Sequence, residues 1–255
     1  MRRSLGNFCN LREIILSSNH WSQEISEILK SLSGCLSYSL EILKLSNAQI
    51  SGHLNNELGQ FKNLLRLSLW NNSISGPIPE SIGNLTSLRF LDLSYNRFNG
   101  TFPPNIGQLS KLINLYIESN MLNGVVSEVH FSNLTRLNIF NAFENQLTLD
   151  VRHNWIPPFQ IEDLSLRSWN LGPKFPSWLC SQSHLWVLDI SNTEILDIVP
   201  SSFWNLSSNF EFLNLSHNQI YGEIPNSQMI LSTFSVIDLR LNHFKGPLPY
   251  IYLLM

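Results

Sequence analysis

The stretch Leu64-Leu65-Arg66-Leu67-Ser68-Leu69-Trp70-Asn71-Asn72 decides the fold of this chain. Its pattern is LxxLxLxxN, and the alternation around Leu67 and Leu69 predicts a short strand whose leucines face inward while the residues between them face outward. Copies of the pattern begin at Leu11, Leu40, Leu64, Leu88, Leu112, Leu137, Ile161, Leu185, Phe210 and Phe234. After a first step of 29 residues, every step is 24 or 25 residues. This period predicts a solenoid of about ten coils.

The last position of the pattern is asparagine in seven of the ten copies. A side-chain amide can satisfy backbone groups as the chain turns, so we expect these residues to stack as an asparagine ladder. The ladder residues are Asn19, Asn72, Asn96, Asn120, Asn145, Asn218 and Asn242. Ala48, Trp169 and Thr193 occupy the position in the other copies. In those coils we expect water or other side chains to satisfy the backbone groups, and we expect the local stability to be lower.

The second half of many coils is also regular. It reads GPIP at 76–79, GTFP at 100–103, GPKFP at 172–176, GEIP at 222–225 and GPLP at 246–249. Glycine permits a tight turn and proline fixes φ while removing a donor, which favours an extended chain over a long helix. The sequence therefore predicts an α/β solenoid with a curved parallel sheet on its concave face and an irregular or 3-10 convex side, as one domain over residues 1–255.

The combined pattern LxxLxLxxNxLxGxIP resembles the plant-specific class of leucine-rich repeat, found in cell-surface receptor kinases and receptor-like proteins. The resemblance covers nearly the entire chain. Residues 124–135, 155–160 (WIPPFQ) and 171–179 (LGPKFPSWL) look like the ectodomain of plant receptor-like proteins, and are most similar to the branch that includes receptors for fungal xylanase. That family usually carries arginine or a similar residue where Cys180 stands.

The resemblance implies a receptor that lacks its own kinase, lies on the extracellular face of the plasma membrane and signals through partner receptor kinases. It also implies a protein or peptide ligand, with pathogen perception as the role. Family ectodomains carry a signal peptide, caps with paired cysteines, an island and one membrane span. None of these is visible in the sequence, where a span would need roughly 20 apolar residues. We therefore expect a fragment or truncated product.

Composition disfavours other partner classes. The chain has a net charge of −3, 14% charged residues and no cluster of lysine and arginine. These features give little reason to expect nucleic acid or an anionic membrane as partner, so we predict no nucleic-acid binding and no direct membrane contact by this segment.

Catalytic and metal-binding patterns are also missing from the sequence. Its seven histidines form no HExxH or Cys/His metal spacing, and there is no CxxC, P-loop, GxGxxG or GxSxG motif. We expect no enzyme activity, no metal site and no cofactor.

The three cysteines allow one pair. Cys9 and Cys35 precede the first two predicted strands, and neighbouring coils lie about 5 Å apart, within the roughly 4.4–6.8 Å between Cα atoms in a disulfide. A disulfide is one interpretation, and two small buried apolar residues are the other. Cys180 has no partner and is predicted to be an inert thiol.

Six N-x-S/T sequons occur, none with proline in the middle. They are Asn71, Asn84, Asn99, Asn133, Asn205 and Asn214. Asn84, Asn133 and Asn205 share one place in their coils, on the predicted convex or lateral side. We predict that all six asparagines are glycosylation sites and that several carry glycans if the protein is secreted. The alternative is that Asn-Leu-Thr/Ser is simply the repeat consensus. Asn214 points from the concave face, where a sugar would obstruct ligand.

The binding face follows from the period. Most outward positions hold consensus residues such as the Asp and Ser of Leu-Asp-Leu-Ser. Seven outward positions differ from the consensus and carry aromatic or charged groups of the kind common in interfaces. The predicted ligand-binding residues are Arg66, Trp70, Tyr116, Glu118, Phe143, Arg167 and Arg240. The alternative is that such side chains stack on one another and stabilise the sheet.

Two other functions remain open at this stage. One is a developmental peptide-hormone receptor or co-receptor scaffold, and the other is a secreted inhibitor of a cell-wall hydrolase. An inhibitor should have about ten repeats with its own caps, and this chain has the repeats without the caps. A cytosolic immune-receptor solenoid fits less well, because regular GxIP coils and sequons are typical of the extracytoplasmic class.

Overall fold

The computed structural model describes residues 5–206, 210–225, 229–231, 236–248 and 251–253. Its principal element is a ten-stranded parallel sheet, here called the concave sheet, to which each coil contributes one three-residue strand. The strands are Glu13–Ile15, Ile42–Lys44, Arg66–Ser68, Phe90–Asp92, Asn114–Tyr116, Ile139–Asn141, Asp163–Ser165, Val187–Asp189, Phe212–Asn214 and Val236–Asp238. Strand order follows chain order throughout, which confirms the predicted solenoid. Phe234, the predicted start of the last copy, lies outside the described residues.

Register in the concave sheet aligns the central residue of each strand. Leu43 pairs with Leu67, Leu67 with Leu91 and Leu91 with Leu115, and all four side chains are fully buried. Each buried leucine contributes roughly 1.5–3 kcal/mol. Residues on either side of the central one point to the opposite face, so the pattern that builds the core also builds the concave surface.

A second parallel sheet runs along the coils beyond the asparagine position. Its strands are Ser51–His53, Ser73–Gly76, Arg97–Thr101, Met121–Val126 and Gln146–Leu149. Two further pairs lie later in the chain, Tyr221–Glu223 with His243–Lys245 and Met229–Leu231 with Ile251–Leu253. The sequence prediction of an extended segment did not include this hydrogen-bonded sheet.

The convex side consists mostly of short 3-10 helices, as predicted. They are Leu5–Asn7, Cys35–Tyr38, Asn56–Gln60, Glu80–Asn84, Pro104–Gln108, Glu128–Phe131 and Ser177–Ser181. Two α-helices, Ile25–Leu32 and Ser201–Trp204, also occur. The first lies in the longer 29-residue coil, which lacks the Gly-x-Ile-Pro segment. Its buried residues Ile25, Leu29 and Leu32 recur at helical spacing and face the core.

Asn96 shows how the asparagine ladder works. Its Nδ2 donates to the carbonyl oxygens of Leu69 on the preceding coil (2.9 Å) and of Leu93 and Ser94 on its own coil. Its Oδ1 accepts from the backbone N–H of Ile74, 3.1 Å away. One side chain therefore binds backbone groups of two coils and supplies the acceptor for the Ile74 N–H.

The residue before the ladder position has a positive φ in every described coil. Examples are Asn71 at 53°, Tyr95 at 53° and Leu241 at 54°. A left-handed conformation costs a non-glycine residue roughly 1–2 kcal/mol. The hydrogen bonds made by the following asparagine offset this cost.

Side chains repair the ladder where asparagine is missing, as the sequence led us to expect. Trp169 Nε1 donates to the carbonyl oxygen of Ala142 on the preceding coil (2.8 Å). Thr193 Oγ1 donates to Ile190 O (2.8 Å) and to Asn218 Oδ1 (3.1 Å). The N–H of Ala48 donates to the amide oxygen of the next ladder residue, Asn72.

The second sheet loses most of its strand pairing where Trp169 and Thr193 replace two consecutive ladder asparagines. Beyond Leu149 it continues only as a bridge between Thr148 and Asn170. In this region the N–H groups of Leu171 and Gly172 both donate to the carbonyl oxygen of Thr193. The coils approach so closely here that a Cβ on Gly172 would lie 1.9 Å from the carbonyl oxygen of Glu194.

Two aromatic residues of the segment WIPPFQ, Trp155 and Phe159, pack against the core. The Trp155 ring contacts Phe131, Phe159 and Trp178 with centroid distances of 5.6, 6.2 and 5.5 Å. Edge-to-face aromatic pairs of this kind contribute about 0.5–1.5 kcal/mol beyond their buried area. These aromatics fill the middle of the solenoid beneath the concave sheet.

Candidate functional site

An aromatic row crosses three adjacent strands of the concave sheet. The guanidinium of Arg66 lies 4.2 Å from the centroid of the Phe90 ring, and that ring lies 5.5 Å from the ring of Tyr116. The three residues face outward because they flank the buried leucine of their strands. Arg66 and Tyr116 were predicted as binding residues, whereas Phe90 was treated as consensus. Its place on a strand beside Tyr116 was the signal that could have identified it.

Two further contacts extend the face. Trp70 is 40% exposed and meets the ring of Tyr95 edge-to-face at 6.3 Å. The guanidinium of Arg167 lies 4.9 Å from the Phe143 centroid and also pairs with Glu144. Neighbouring outward side chains thus stack along the sheet, which is the alternative to ligand binding that the sequence left open. The same stacking holds them in fixed positions while leaving partly exposed rings.

Arg240 lies apart from this group. It sits on the last described strand-bearing coil, where its guanidinium pairs with Asp238 at 2.9 Å. The side chain is 73% exposed. An exposed pair of this kind contributes at most about 1 kcal/mol to stability, so the arginine is available to a partner.

Glu118 differs from its sequence interpretation as an exposed charge. The residue is only 8% exposed, and its Oε2 is buried with no hydrogen-bond partner. Burial, with smaller contributions from Asp92 and Asp163, raises the pKa of Glu118 to about 7. Its position on the outward side is as predicted, but side chains of the neighbouring coils cover it.

Asp92 and Asp163 complete an acidic group that the sequence analysis treated as consensus residues. Asp92 accepts hydrogen bonds from the hydroxyls of Ser94 (2.5 Å) and Ser68 (3.2 Å). Asp163 accepts a long one from Asn141 Nδ2 at 3.5 Å. Burial raises the pKa of both carboxyl groups above the ordinary aspartate value. Burial also raises the pKa of Tyr116, with Asp163 the next largest cause.

The sequons fall on different faces. Asn84, Asn99 and Asn205 are exposed on the convex and lateral sides. Asn71 and Asn133 are exposed but their amides are engaged, with Asn47 Oδ1 and Gly107 O respectively.

Asn214 lies on the concave sheet. Its amide oxygen accepts hydrogen bonds from the N–H and hydroxyl of Ser216. A glycan at Asn214 would therefore project over the binding face.

Cys9 and Cys35 form a disulfide in the structure, with Cα atoms 4.9 Å apart. This bond ties the 3-10 helix Cys35–Tyr38 to the chain before the first concave strand. Cys180 is a free thiol, half-buried on the convex side.

Within the described part of the chain, no three His, Cys, Asp or Glu side chains are grouped so as to hold a metal ion. In the same part, no helix combines the length and apolar character needed to cross a bilayer.

Comparisons with known proteins agree with this architecture. A family profile described as "Leucine-rich repeat region" matches residues 3–197, and one described as "Leucine Rich Repeat" matches residues 209–228. The tomato (Solanum lycopersicum) proteins Receptor-like protein EIX2 and Receptor-like protein EIX1 are 41% identical over 126 residues and 44% identical over 128 residues. Each match covers 49% of this chain and 12% of the relative.

A solved structure is similar over almost the whole chain. It is described as "Plant peptide hormone receptor RGFR1 in complex with RGF2" and matches with a TM-score of 0.84 and 27% identity. The match covers 98% of this chain and 39% of that one. The fold is therefore that of a plant receptor ectodomain, and the predicted resemblance to plant receptor-like proteins is confirmed. The profile match spans most of the sequence, so the chain belongs to the leucine-rich repeat family.

Proposed function

We propose that this chain is a non-catalytic, ligand-binding segment of a plant cell-surface receptor-like protein. The observation that carries the proposal is the cluster of aromatic and charged side chains on adjacent strands of the concave sheet. Arg66, Phe90 and Tyr116 form one continuous surface, and Trp70 adds a partly exposed ring. Aromatic and arginine side chains are the residues most enriched among interface hot spots.

The ligand in this proposal is a microbial protein or peptide, and the role is defence. The resemblance of residues 124–135, 155–160 and 171–179 to receptors for fungal xylanase supports this choice, as does the sequence identity to two tomato receptor-like proteins. The full-length protein would lie on the extracellular face of the plasma membrane and signal through partner receptor kinases. This segment would supply part of the recognition surface.

The proposed contact residues are not equivalent. Trp70, Tyr116 and Phe143 supply apolar surface, while Arg66 and Arg167 supply directional charge that their aromatic partners hold in place. Rigid side chains lose little conformational entropy on binding, which favours affinity. Arg240 would meet only a ligand that extends to the far coils, and the role of Glu118 is developed below.

A binding measurement with purified fungal xylanase tests this proposal. The 255-residue chain, secreted from plant cells, would be titrated by isothermal calorimetry. We expect saturable binding that the variant carrying Trp70→Ala, Tyr116→Ala and Phe143→Ala together loses by at least roughly a hundredfold, because hot-spot truncations cost about 2 kcal/mol or more each.

The matched control replaces large exposed residues away from the concave sheet. Tyr38, Val129 and Ile156 are 75%, 59% and 80% exposed. Their combined replacement by alanine should leave affinity unchanged. Equal losses in both triple variants would contradict the assignment of the concave face.

A peptide-hormone receptor segment is the second candidate. The similarity to RGFR1, whose structure holds RGF2, favours it. The same calorimeter separates the two: binding of synthetic RGF2 peptide without binding of xylanase would support the second candidate over the first.

A further inference from the structure

The concave face carries an acidic strip on four consecutive strands. The strands Phe90–Asp92, Asn114–Tyr116, Ile139–Asn141 and Asp163–Ser165 are neighbours in the sheet. Asp92 lies at one end, Asp163 lies at the other, and Glu118 follows the second strand. Tyr116 lies in the field of all three carboxyl groups. The strand between Glu118 and Asp163 contributes Asn141 and no carboxyl group.

Among the described residues, no ion pair involves a carboxyl group of the strip. The ion pairs among the described residues join Arg12 to Glu41, Arg152 to Glu128, Arg167 to Glu144, Lys174 to Asp197 and Arg240 to Asp238. None of these involves Asp92, Glu118 or Asp163. Arg66, which shares this part of the face, rests on the Phe90 ring.

Two buried acceptor atoms in the strip lack donors. Glu118 Oε2 and Asn141 Oδ1 are covered and have no hydrogen-bond partner in the described structure. A buried polar group without a partner costs free energy, roughly 1–3 kcal/mol for a neutral group and more for a charged one. Asn141 Oδ1 is an acceptor, and so is Glu118 Oε2 when the carboxyl group is ionised, so the group that would satisfy both is a donor. Ammonium and guanidinium groups carry donors only.

We propose that Glu118 and Asp92, beside the ring of Tyr116, form a site for the ammonium or guanidinium group of a lysine or arginine side chain on the ligand. This inference rests on the proposed function, because it names the chemistry that the same face recognises. Asp163 adds longer-range attraction from two strands away. The Glu118 carboxyl oxygen is buried in the unliganded chain. Binding of the cation therefore requires the Glu118 side chain to move towards the surface.

The aromatic surroundings favour an organic cation over a metal ion. On this same face, arginine already lies against aromatic rings twice, at Phe90 and at Phe143. Such contacts are worth about 0.5–2 kcal/mol. The strip also belongs to no group of three ligands suited to a metal among the described residues.

Asp189 offers a matched control within the same sheet. It accepts a hydrogen bond from the Ser191 hydroxyl at 2.6 Å, just as Asp92 does from Ser94 at 2.5 Å. Its register partners on the adjacent strands are Ser165 and Asn214. Asn214 and Ser216 therefore stand beside Asp189 where Tyr116 and Glu118 stand beside Asp92. Asp189 shares the local geometry of Asp92 without a counterpart of Glu118.

The test compares two peptides that differ only in charge. The probes are acetyl-Gly-Ser-Tyr-Arg-Tyr-Ser-Gly-amide and the same peptide with citrulline in place of arginine, titrated into the full chain by calorimetry at low salt. We expect the arginine peptide to bind roughly tenfold more tightly, the ratio that one charge-assisted contact supplies. Raising the salt concentration should reduce the ratio, since the difference is electrostatic.

Three single variants identify which carboxylates cause the preference for the arginine peptide. Glu118→Gln and Asp92→Asn, both close in shape to the native residues, should each bring the ratio of the two affinities towards one. Asp189→Asn should leave it near tenfold. A melting curve for each variant checks that the chain is folded.

Three results would overturn the site. They are equal affinities for the two peptides, absence of binding by both at roughly millimolar concentration, and an equal effect of Asp189→Asn and Glu118→Gln. If the peptides bind equally and the aromatic triple variant abolishes both, the concave binding face stands and only the cation site is wrong. The titration with xylanase tests the proposed function separately, because it does not depend on the cation site.

Discussion

The indole Nε1 of Trp169 donates a 2.8 Å hydrogen bond to the carbonyl oxygen of Ala142, one coil earlier in the solenoid. In most other coils a ladder asparagine makes this cross-coil contact, as Asn96 does with Leu69. The indole supplies one donor where the amide supplies two donors and an acceptor. The solenoid therefore continues through this coil with fewer backbone groups satisfied by the ladder side chain.

Replacing a ladder asparagine should cost more stability than removing the indole donor. Asn96→Ala removes the acceptor of the buried Ile74 N–H and one of the donors to the carbonyl oxygens of Leu69 and Leu93. We expect a loss of about 2–4 kcal/mol in urea unfolding, against about 1–2 kcal/mol for Trp169→Phe. The exposed neighbour Asn170 serves as control, because Asn170→Ala should change stability by less than about 0.5 kcal/mol. Equal costs for Asn96→Ala and Asn170→Ala would contradict the ladder's role.

Two glycine substitutions separate steric collision from backbone strain. A Cβ on Gly172 would meet the Glu194 carbonyl oxygen at 1.9 Å, whereas a Cβ on Gly100 would have only Pro77 nearby, at 3.8 Å. Gly100 has a φ of 75°, so Gly100→Ala should cost about 1–2 kcal/mol from conformation alone. Gly172→Ala should cost more than about 3 kcal/mol, because two coils must move apart. Thermal unfolding of both variants measures the difference, and a milder effect at Gly172 would show that the coils separate easily.

Glu118 should make the chain less stable as pH rises through the neutral range. Its folded pKa of about 7 exceeds the ordinary value of 4.5, so the folded state binds a proton that the unfolded chain releases between these values. Stability is therefore greatest below pH 4.5 for this group and falls by roughly 1–3 kcal/mol on the way to pH 7. The raised pKa values of Asp92 and Asp163 act in the same direction.

The Glu118→Gln variant isolates this contribution. Its melting temperature should vary less with pH than that of the native chain, and it should exceed the native value at pH 8. A native chain whose stability rises between pH 5 and pH 7, with the same rise in the glutamine variant, would show that Glu118 is ionised at little cost.

Glycosylation should concentrate on the convex and lateral sides. Asn84, Asn99 and Asn205 are exposed, so we expect protein secreted from plant cells to carry glycans there and to gain mobility on gels after treatment with peptide N-glycosidase A. Replacing these three residues by glutamine should remove most of the shift. We expect no glycan at Asn214, whose amide oxygen is bonded to Ser216 within the concave sheet. An unchanged mobility after deglycosylation would contradict the prediction of a glycosylated ectodomain.

Leucine spacing was sufficient to predict the concave strands, because burial of Leu67 and its equivalents decides which residues face outward. The second sheet and the helix Ile25–Leu32 were not predicted. The GxIP pattern does not reveal backbone pairing between coils, and leucine spacing describes only the concave strands. The burial of Glu118 was missed for a related reason. Each copy was interpreted alone, whereas the cover over a side chain comes from the coils on either side.

The binding face was partly predicted. Trp70, Tyr116 and Phe143 stood out because aromatics interrupt a polar row. Phe90 did not, because another copy carries phenylalanine at the same position, and Asp163 did not, because it was interpreted as an ordinary exposed charge. The significance of Phe90 comes from its contact with Tyr116 on the next strand, and that of Asp163 from its place two strands beyond Tyr116. Such relationships emerge only when residues are compared between coils.

Hydrogen–deuterium exchange with purified fungal xylanase tests the central claim most directly. We predict slower exchange in the concave strands Arg66–Ser68, Phe90–Asp92 and Asn114–Tyr116 when xylanase is added, and loss of that protection in the variant with Trp70, Tyr116 and Phe143 replaced by alanine. Protection confined to the convex 3-10 helices, or no change in exchange at saturating xylanase, would contradict a concave ligand-binding face for this class of ligand.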